Sequence, residues 1–439
     1  MLMDFYELTM ANGYFSNGMK DEIVYFDLFF RKNPDGAGFS IVAGLEQVIQ
    51  YIKELRFCDE DIEFLRSKKL FTEDFLQFLK EFKFSGDIYA IPEGTPVFPN
   101  EPLITVRAKT IDAQIIETMM LLTINHQSLI ATKANRVVRA AKGKPIMEFG
   151  ARRSQGYDGA IYGARAAYIG GVMGTATTLA DEAFGVPALG TMAHSWVQMF
   201  ESEYEAFKAY ALCYPDNCNL LIDTYNVLKS GLPNAIRISR EVLEPMGKRL
   251  KGVRIDSGDI AYLSKKCRKM LNEAGLHDCA IVASNSLDEF IISDLLDQGA
   301  KVDSFGVGER LITAKSEPVF GCVYKLVAVE KDGKIIPKIK ISENEEKITN
   351  PGYKKVWRLY DRKTKSPIAD VITLAHEVID DSKPYTIFDE IHTWKKKKVT
   401  DFYAKNLQVP VFIKGECVYE SPSLNEIREY CKKRVDNLW

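Results

Sequence analysis

Between residues 145 and about 324 the sequence alternates short apolar runs with helical stretches, and this alternation constrains the fold more than any other feature. The candidate strands are residues 146–149, 188–191, 219–222, 252–255, 280–283 and 304–307, each followed by polar or Gly-rich residues and then a helical pattern. Strands separated by helices are not joined as tight hairpins; they run parallel, with helices covering the sheet. The length of the stretch suits closure into a barrel better than a small open sheet. In such architectures reacting groups gather where strands end and loops begin.

Two further regions flank this one. Residues 1–109 mix helical spacing over 57–84 with short strands at 87–91 and 103–106, divided by the turn Pro92-Glu93-Gly94. The central region, 110–324, opens on a helix for which Asp112 is the expected N-cap, with Ile115, Ile116, Met119, Met120 and Leu122 on its apolar face. Residues 325–439 read as a β-rich and helical appendage packing on the N-terminal domain. It contains a hairpin turning at Asp332-Gly333 and a solvated basic run, Lys395 to Lys398, after Trp394.

A chain of 439 residues exceeds one ordinary core, and two to three packed units are expected. Lys and Arg total 58 against 60 for Asp and Glu, a formal charge of −2, so nucleic acid is not the expected partner. No stretch reads as a membrane span and the N-terminus lacks the pattern of a signal peptide. Eight scattered cysteines, with no CxxC and no Cys/His metal spacing, point to reduced thiols and a cytoplasmic setting.

Five strand ends carry unusual chemistry. After Phe149 comes Gly150-Ala151-Arg152-Arg153, where two guanidiniums in a Gly-flanked loop suit a phosphate, or form a surface ion pair. Met192-Ala193-His194-Ser195 holds one of only five histidines, which is equally at home as a structural or a catalytic group. Asp223, at a neighbouring strand end, could accept a proton from one His194 ring nitrogen and so fix which nitrogen is nucleophilic, or simply cap the next helix. Arg254-Ile255-Asp256-Ser257-Gly258-Asp259 is the most specific motif, combining a cation with two carboxylates in one turn; such a loop can hold ribose hydroxyls, Mg²⁺ and a phosphate together. Ala283-Ser284-Asn285-Ser286 and Gly306-Val307-Gly308-Glu309-Arg310 offer backbone N–H groups for a phosphate.

Taken in order, these motifs resemble the nicotinate phosphoribosyltransferases. The resemblance also rests on Asp4-Phe5-Tyr6-Glu7-Leu8-Thr9-Met10, Phe30-Arg31-Lys32-Asn33-Pro34, Ala43-Gly44-Leu45-Glu46 and Glu93-Gly94-Thr95-Pro96, and spans Asp4 to about Leu326. It implies an irregular parallel α/β barrel with an N-terminal open β-rich domain and a C-terminal appendage, working as a homodimer with shared active sites. The implied reaction joins nicotinate to 5-phosphoribosyl 1-pyrophosphate with ATP as co-substrate and Mg²⁺ as cofactor, in pyridine nucleotide biosynthesis. It implies roles as well. Tyr6, lent by the partner, and Phe149 would sandwich the pyridine ring, and Arg152 would sit beside ring and phosphates, with Arg31 a further substrate contact. His194 would be phosphorylated by ATP and oriented by Asp223. Asp256 would hold ribose hydroxyls, Arg254 the substrate's charged groups, and Ser284, Asn285, Gly306 and Gly308 the 5-phosphate.

One position departs from nicotinamide-using relatives, which carry an Asp two residues after the Gly of a Gly-Thr segment. This chain has Gly174-Thr175-Ala176. A buried Asp would repel the carboxylate of nicotinate, and Ala176 leaves it unopposed. A nicotinamide- or quinolinate-using enzyme and a non-catalytic barrel sensing phosphorylated sugars or nucleotides are the competing readings.

Overall fold

The computed structural model describes residues 1–343, 347–390 and 392–438. The chain divides into two compact units, Met1–Leu129 with Val319–Trp439, and Ile130–Pro318.

In the first unit, strands from both ends of the chain share one seven-stranded antiparallel sheet, in the order Lys334–Pro337, Cys322–Lys331, Ile23–Phe30, Ile104–Lys109, Asp87–Ala90, Val409–Ile413 and Glu416–Cys417. The expected hairpin turns at Asp332 and Gly333, whose φ angles of 50° and 71° are those of a two-residue turn matched to strand twist. Helices Asp59–Ser67 and Glu73–Lys80 fall within the helical pattern at 57–84, burying Ile62, Leu65, Phe75, Leu76 and Leu79. Lys395 to Lys398 are exposed.

Asp112 is not a helix cap. Helix Thr110–Ile115 starts two residues earlier, after Lys109, and the buried Asp112 carboxylate instead accepts the Ser85 N–H at 2.8 Å and its hydroxyl at 2.7 Å. The side chain that looked like a local cap serves a long-range contact, because a buried carboxylate must find donors wherever the fold supplies them.

Helix Phe5–Ser16 is fastened to helix Glu117–Ala140 through Glu7, which is fully buried and accepts the Thr118 N–H at 3.1 Å while its second oxygen has no partner. Burial raises the Glu7 carboxyl from its ordinary 4.5 to about 7. Between those two values the folded chain binds more protons than the unfolded one, so this group's contribution to stability falls as pH rises through the window and then levels off. Glu7→Gln should therefore gain stability relative to the parent from pH 5 to pH 8, by on the order of 2 kcal/mol. Denaturant melts across that range check it; a pH-independent difference would contradict the assignment.

The second unit is built on a six-stranded parallel sheet, ordered Gly174–Thr175, Ile146–Glu148, Ser304–Val307, Ala280–Ser284, Gly252–Ile255 and Asn219–Leu221. Strand–helix alternation gives this parallel order, and the apolar residues of the runs, such as Ile146, Leu220, Leu221, Val253, Ile255 and Ile281, are buried. The expected strand at 188–191 does not form: only Ala188 bridges, to Thr175. Beyond it the backbone is held instead by a side chain, since the Arg254 guanidinium donates to the Thr191 hydroxyl at 3.0 Å and to the Met192 carbonyl at 3.1 Å. Among the described residues no ladder joins the two edge strands. No helix among them is long and apolar enough to cross a membrane.

Candidate active site

Parallel strands deliver all their C-terminal ends to one side of the sheet, and there a cavity of about 560 Å³ opens. Phe149 and Ala176 line it from adjacent strand ends. Arg152, Arg254 and Asp256 line it too, as do Ser284, Asn285, Gly306 and Gly308. Residues as far apart in sequence as Phe149 and Lys315 thus meet at one rim.

The Phe149 ring lies over Gly306. A Cβ at Gly306 would stand 2.6 Å from two ring carbons, so glycine here makes room for an aromatic plate. Beneath it Glu148 is fully buried; its carboxylate accepts the Gly150 N–H and, at 2.6 Å, the Thr175 hydroxyl, tying together the two strand ends that carry Phe149 and Ala176. Burial holds the Glu148 carboxyl above its ordinary range. The Ala176 N–H is already taken by the Glu148 carbonyl at 2.9 Å, so that residue has no free donor to offer, and its side chain is only a methyl group.

A second cluster is acidic. Asp256 accepts the Ser284 hydroxyl, and its own N–H donates to Asp223 at 3.0 Å. The same Asp223 oxygen accepts the Ser257 hydroxyl at 2.6 Å. The other Asp223 oxygen is buried without a hydrogen-bond partner, 4.0 Å from His194 Nε2, and Asp256 Oδ2 lies 3.8 Å from the same nitrogen. These separations exceed a hydrogen bond. The ring is held on its other side, where His194 Nδ1 meets the Thr224 hydroxyl at 3.1 Å. Asp223 does not cap the following helical turn either; Asn226 does, accepting the Lys229 N–H.

Cations balance the acids. Arg152 and Arg153 are exposed and both line the cavity. Arg254 is pulled below its ordinary pKa by burial, against the opposing pull of Asp256 and Asp223. Arg310 and Lys315 also line the cavity, paired with Asp288 and Glu309 respectively. At the phosphate-type loop, Asn285 and Ser286 both have left-handed backbones, with φ of 88° and 51°. Tyr6 and Arg31 belong to the first unit and are not among the residues lining this cavity. Tyr6 is half-exposed, its hydroxyl bonded to Glu117, and the Arg31 guanidinium lies 5.6 Å from the Phe29 ring centre.

The cavity thus gathers an aromatic plate, a carboxylate and exposed guanidiniums, while His194 and Asp223 lie beside Asp256 and are not among its lining residues. The model of the nicotinate phosphoribosyltransferase family matches residues 145–366, that of its N-terminal domain residues 1–125, and that of its C-terminal domain residues 353–439. The nicotinate phosphoribosyltransferase of Bacillus subtilis is 44% identical over 438 residues, covering 99% of this chain and 88% of that protein. The chain belongs to the nicotinate phosphoribosyltransferase family. The mouse nicotinate phosphoribosyltransferase is 32% identical over 500 aligned residues, covering all of this chain and 91% of its own. Among solved structures, human nicotinic acid phosphoribosyltransferase superposes with a TM-score of 0.88 at 30% identity, over 100% of this chain and 94% of that one. A nicotinate-nucleotide pyrophosphorylase from Pyrococcus furiosus gives 0.76 at 25% identity, over 100% and 95%.

Sequence reasoning missed several residues that the structure places in or beside these clusters. Thr224 and Ser257 sit beside residues already singled out, and only their adjacency to Asp223 and Asp256 hinted at them. Glu148 lies inside the expected strand 146–149 with nothing local to mark it, yet its two acceptor contacts set the geometry of both flanking strand ends.

Proposed function

We propose that this chain joins nicotinate to 5-phosphoribosyl 1-pyrophosphate, giving nicotinate mononucleotide and pyrophosphate for NAD biosynthesis, with the reaction coupled to ATP. The observation that carries the reading is the meeting of Phe149, Ala176, Arg254, Asp256 and Ser284 on one cavity, in a chain of this family.

The pyridine nitrogen attacks C1 of the ribose with its lone pair as the bond from C1 to pyrophosphate breaks. No base is needed, because that nitrogen carries no proton. Phe149 stacks on the ring, and Gly306 keeps the plate in place. Ala176 leaves the nicotinate carboxylate unopposed, and Arg152 and Arg254 supply the countercharge. Asp256, fixed by Ser284, holds ribose hydroxyls and faces the positive charge that develops on the sugar. Asn285 and Gly308 offer backbone N–H groups to the 5-phosphate. His194 accepts the γ-phosphoryl group of ATP as the bond to ADP breaks. Mg²⁺, when bound, would supply charge neutralisation there. The unpartnered Asp223 oxygen and Asp256 Oδ2 are fit to hold it, since this ion commonly takes one or two carboxylates and substrate oxygens. In the same reading the parallel sheet closes into an irregular barrel through residues 189–193, the first unit is the open N-terminal domain, and two chains pair so that Tyr6 and Arg31 of one complete the site of the other.

Mass analysis of product tests the function: nicotinate, nicotinamide and quinolinate are each supplied with the activated ribose and Mg²⁺, with and without ATP. Mononucleotide formed from nicotinate, and raised by ATP, is expected; equal use of nicotinamide would contradict the role given to Ala176. Gly306→Ala should raise KM for nicotinate by roughly tenfold, the cost of a displaced stacking partner, and leave KM for the ribose substrate within about twofold. An equal rise in both would return Gly306 to the phosphate.

A further inference from the structure

On the turn that follows Thr224, the backbone at Gly231 passes too close to a strand end to admit a side chain. A Cβ at Gly231 would stand 1.9 Å from the Ile222 carbonyl oxygen, 2.6 Å from its carbonyl carbon and 2.9 Å from its Cα. All three are backbone atoms, so no side chain can rotate to make space. Ile222 immediately precedes Asp223 and Thr224, the residues that face His194.

Gly231 ends a π-helical turn, Val227–Gly231. Its N–H and that of Ser230 both bond the Asn226 carbonyl, at 2.9 and 3.0 Å, which closes the segment after Thr224 into a tight loop. Pro233, in the first turn of the helix Leu232–Ile238, has no N–H to continue a regular ladder, and the widened turn absorbs the mismatch. The turn is also pinned from the far side: buried Glu203 accepts the Ser230 hydroxyl and the Asn234 side-chain N–H, the latter at 3.1 Å. A side chain at position 231 therefore cannot be relieved by swinging the turn outward. The Ile222–Thr224 backbone must move instead.

We propose that Gly231 is a positioning residue for phosphoryl transfer: its missing side chain lets the Asp223–Thr224 loop sit where the Thr224 hydroxyl can accept a hydrogen bond from His194 Nδ1–H and leave Nε2 free for the phosphoryl group beside the two carboxylates. The inference rests on His194 being the phosphoacceptor. In the tautomer this role requires, Nδ1–H donates to the Thr224 hydroxyl, and since a neutral imidazole has one protonated nitrogen, Nε2 is then the nucleophile. Nε2 has no hydrogen-bond partner among the described residues, and it faces Asp223 and Asp256 at 4.0 and 3.8 Å. A shift of about 1 Å in the loop breaks the Thr224 contact, frees the ring to rotate or change tautomer, and slows transfer on the order of 10–100-fold.

The test compares the parent with Gly231→Ala, Thr224→Val and Thr224→Ser. Acid-labile label from γ-labelled ATP, the ATP-independent KM for nicotinate and thermal melts are measured on each full-length protein. The proposal expects Gly231→Ala to slow labelling at least tenfold with nicotinate KM within about twofold. Thr224→Val should show the same loss of labelling, and Thr224→Ser should restore it by returning the hydroxyl. Labelling at the parent rate in Gly231→Ala, or labelling and nicotinate binding lost together in a folded protein, overturns it. If Gly231→Ala does not fold, the Val and Ser pair decides: no difference between them overturns the proposal. A parent that makes mononucleotide yet never takes label removes His194 as phosphoacceptor, and the positioning role with it; failure of the positioning role alone leaves the parent's label intact.

Discussion

Asp256→Asn should lower kcat/KM for mononucleotide formation by roughly 10²–10³-fold. The amide keeps the shape of the side chain and can still accept the Ser284 hydroxyl, so what is lost is the negative charge. That charge matters most when C1 of the ribose becomes cationic, and the group is already fixed in place on both sides: Ser284 donates to its carboxylate, and its N–H is bound by Asp223. Preorganised charge of this kind acts without reorganisation at the moment of reaction. The Asp256 side chain is 34% exposed, so folding does not depend on it, and the melting temperature should stay within about 2 °C of the parent. Steady-state kinetics and a thermal melt check both halves. A loss below tenfold would place Asp256 outside the reacting centre.

His194→Ala should abolish acid-labile labelling from γ-labelled ATP and remove any stimulation of turnover by ATP. The ring places a nitrogen nucleophile beside the two carboxylates, and its 40% exposed side chain is open to a triphosphate. Phosphorylation would add close to two negative charges beside Asp223 and Asp256, a repulsion that a bound divalent cation would offset. Turnover without ATP should survive in part, because the groups assigned to nicotinate and ribose, Phe149, Arg254 and Asp256, are untouched. Undiminished label in the variant would assign the phosphoryl group to another residue.

Much of this site was legible in the sequence because its chemistry sits at the ends of apolar runs. Gly252–Ile255 and Ala280–Ser284 are long enough to read as buried strands, and Asp256 and Asn285 follow them directly. The two-residue strand Gly174–Thr175 is too short to show any period, so Ala176 drew attention through the family resemblance alone. The run at 188–191 is apolar enough to suggest a strand, but Arg254 holds that backbone from a strand further in, a tertiary choice no local pattern records. Asp112 failed as a cap for the same reason: Ser85, 27 residues away, claimed its carboxylate. The partnership of Thr224 with His194 joins residues 30 apart, and the room left by Gly231 appears only once Ile222 is packed against it. Likewise the pairing of Ile23–Phe30 with Cys322–Lys331 spans most of the chain and leaves no local signature.

A crystal structure with nicotinate mononucleotide bound tests the central claim most directly. The account predicts the pyridine ring stacked on Phe149, the ribose hydroxyls on Asp256, and the phosphate at the Asn285 and Gly308 loops, all within the cavity at the strand ends. A nucleotide bound elsewhere, with that rim empty, would contradict it.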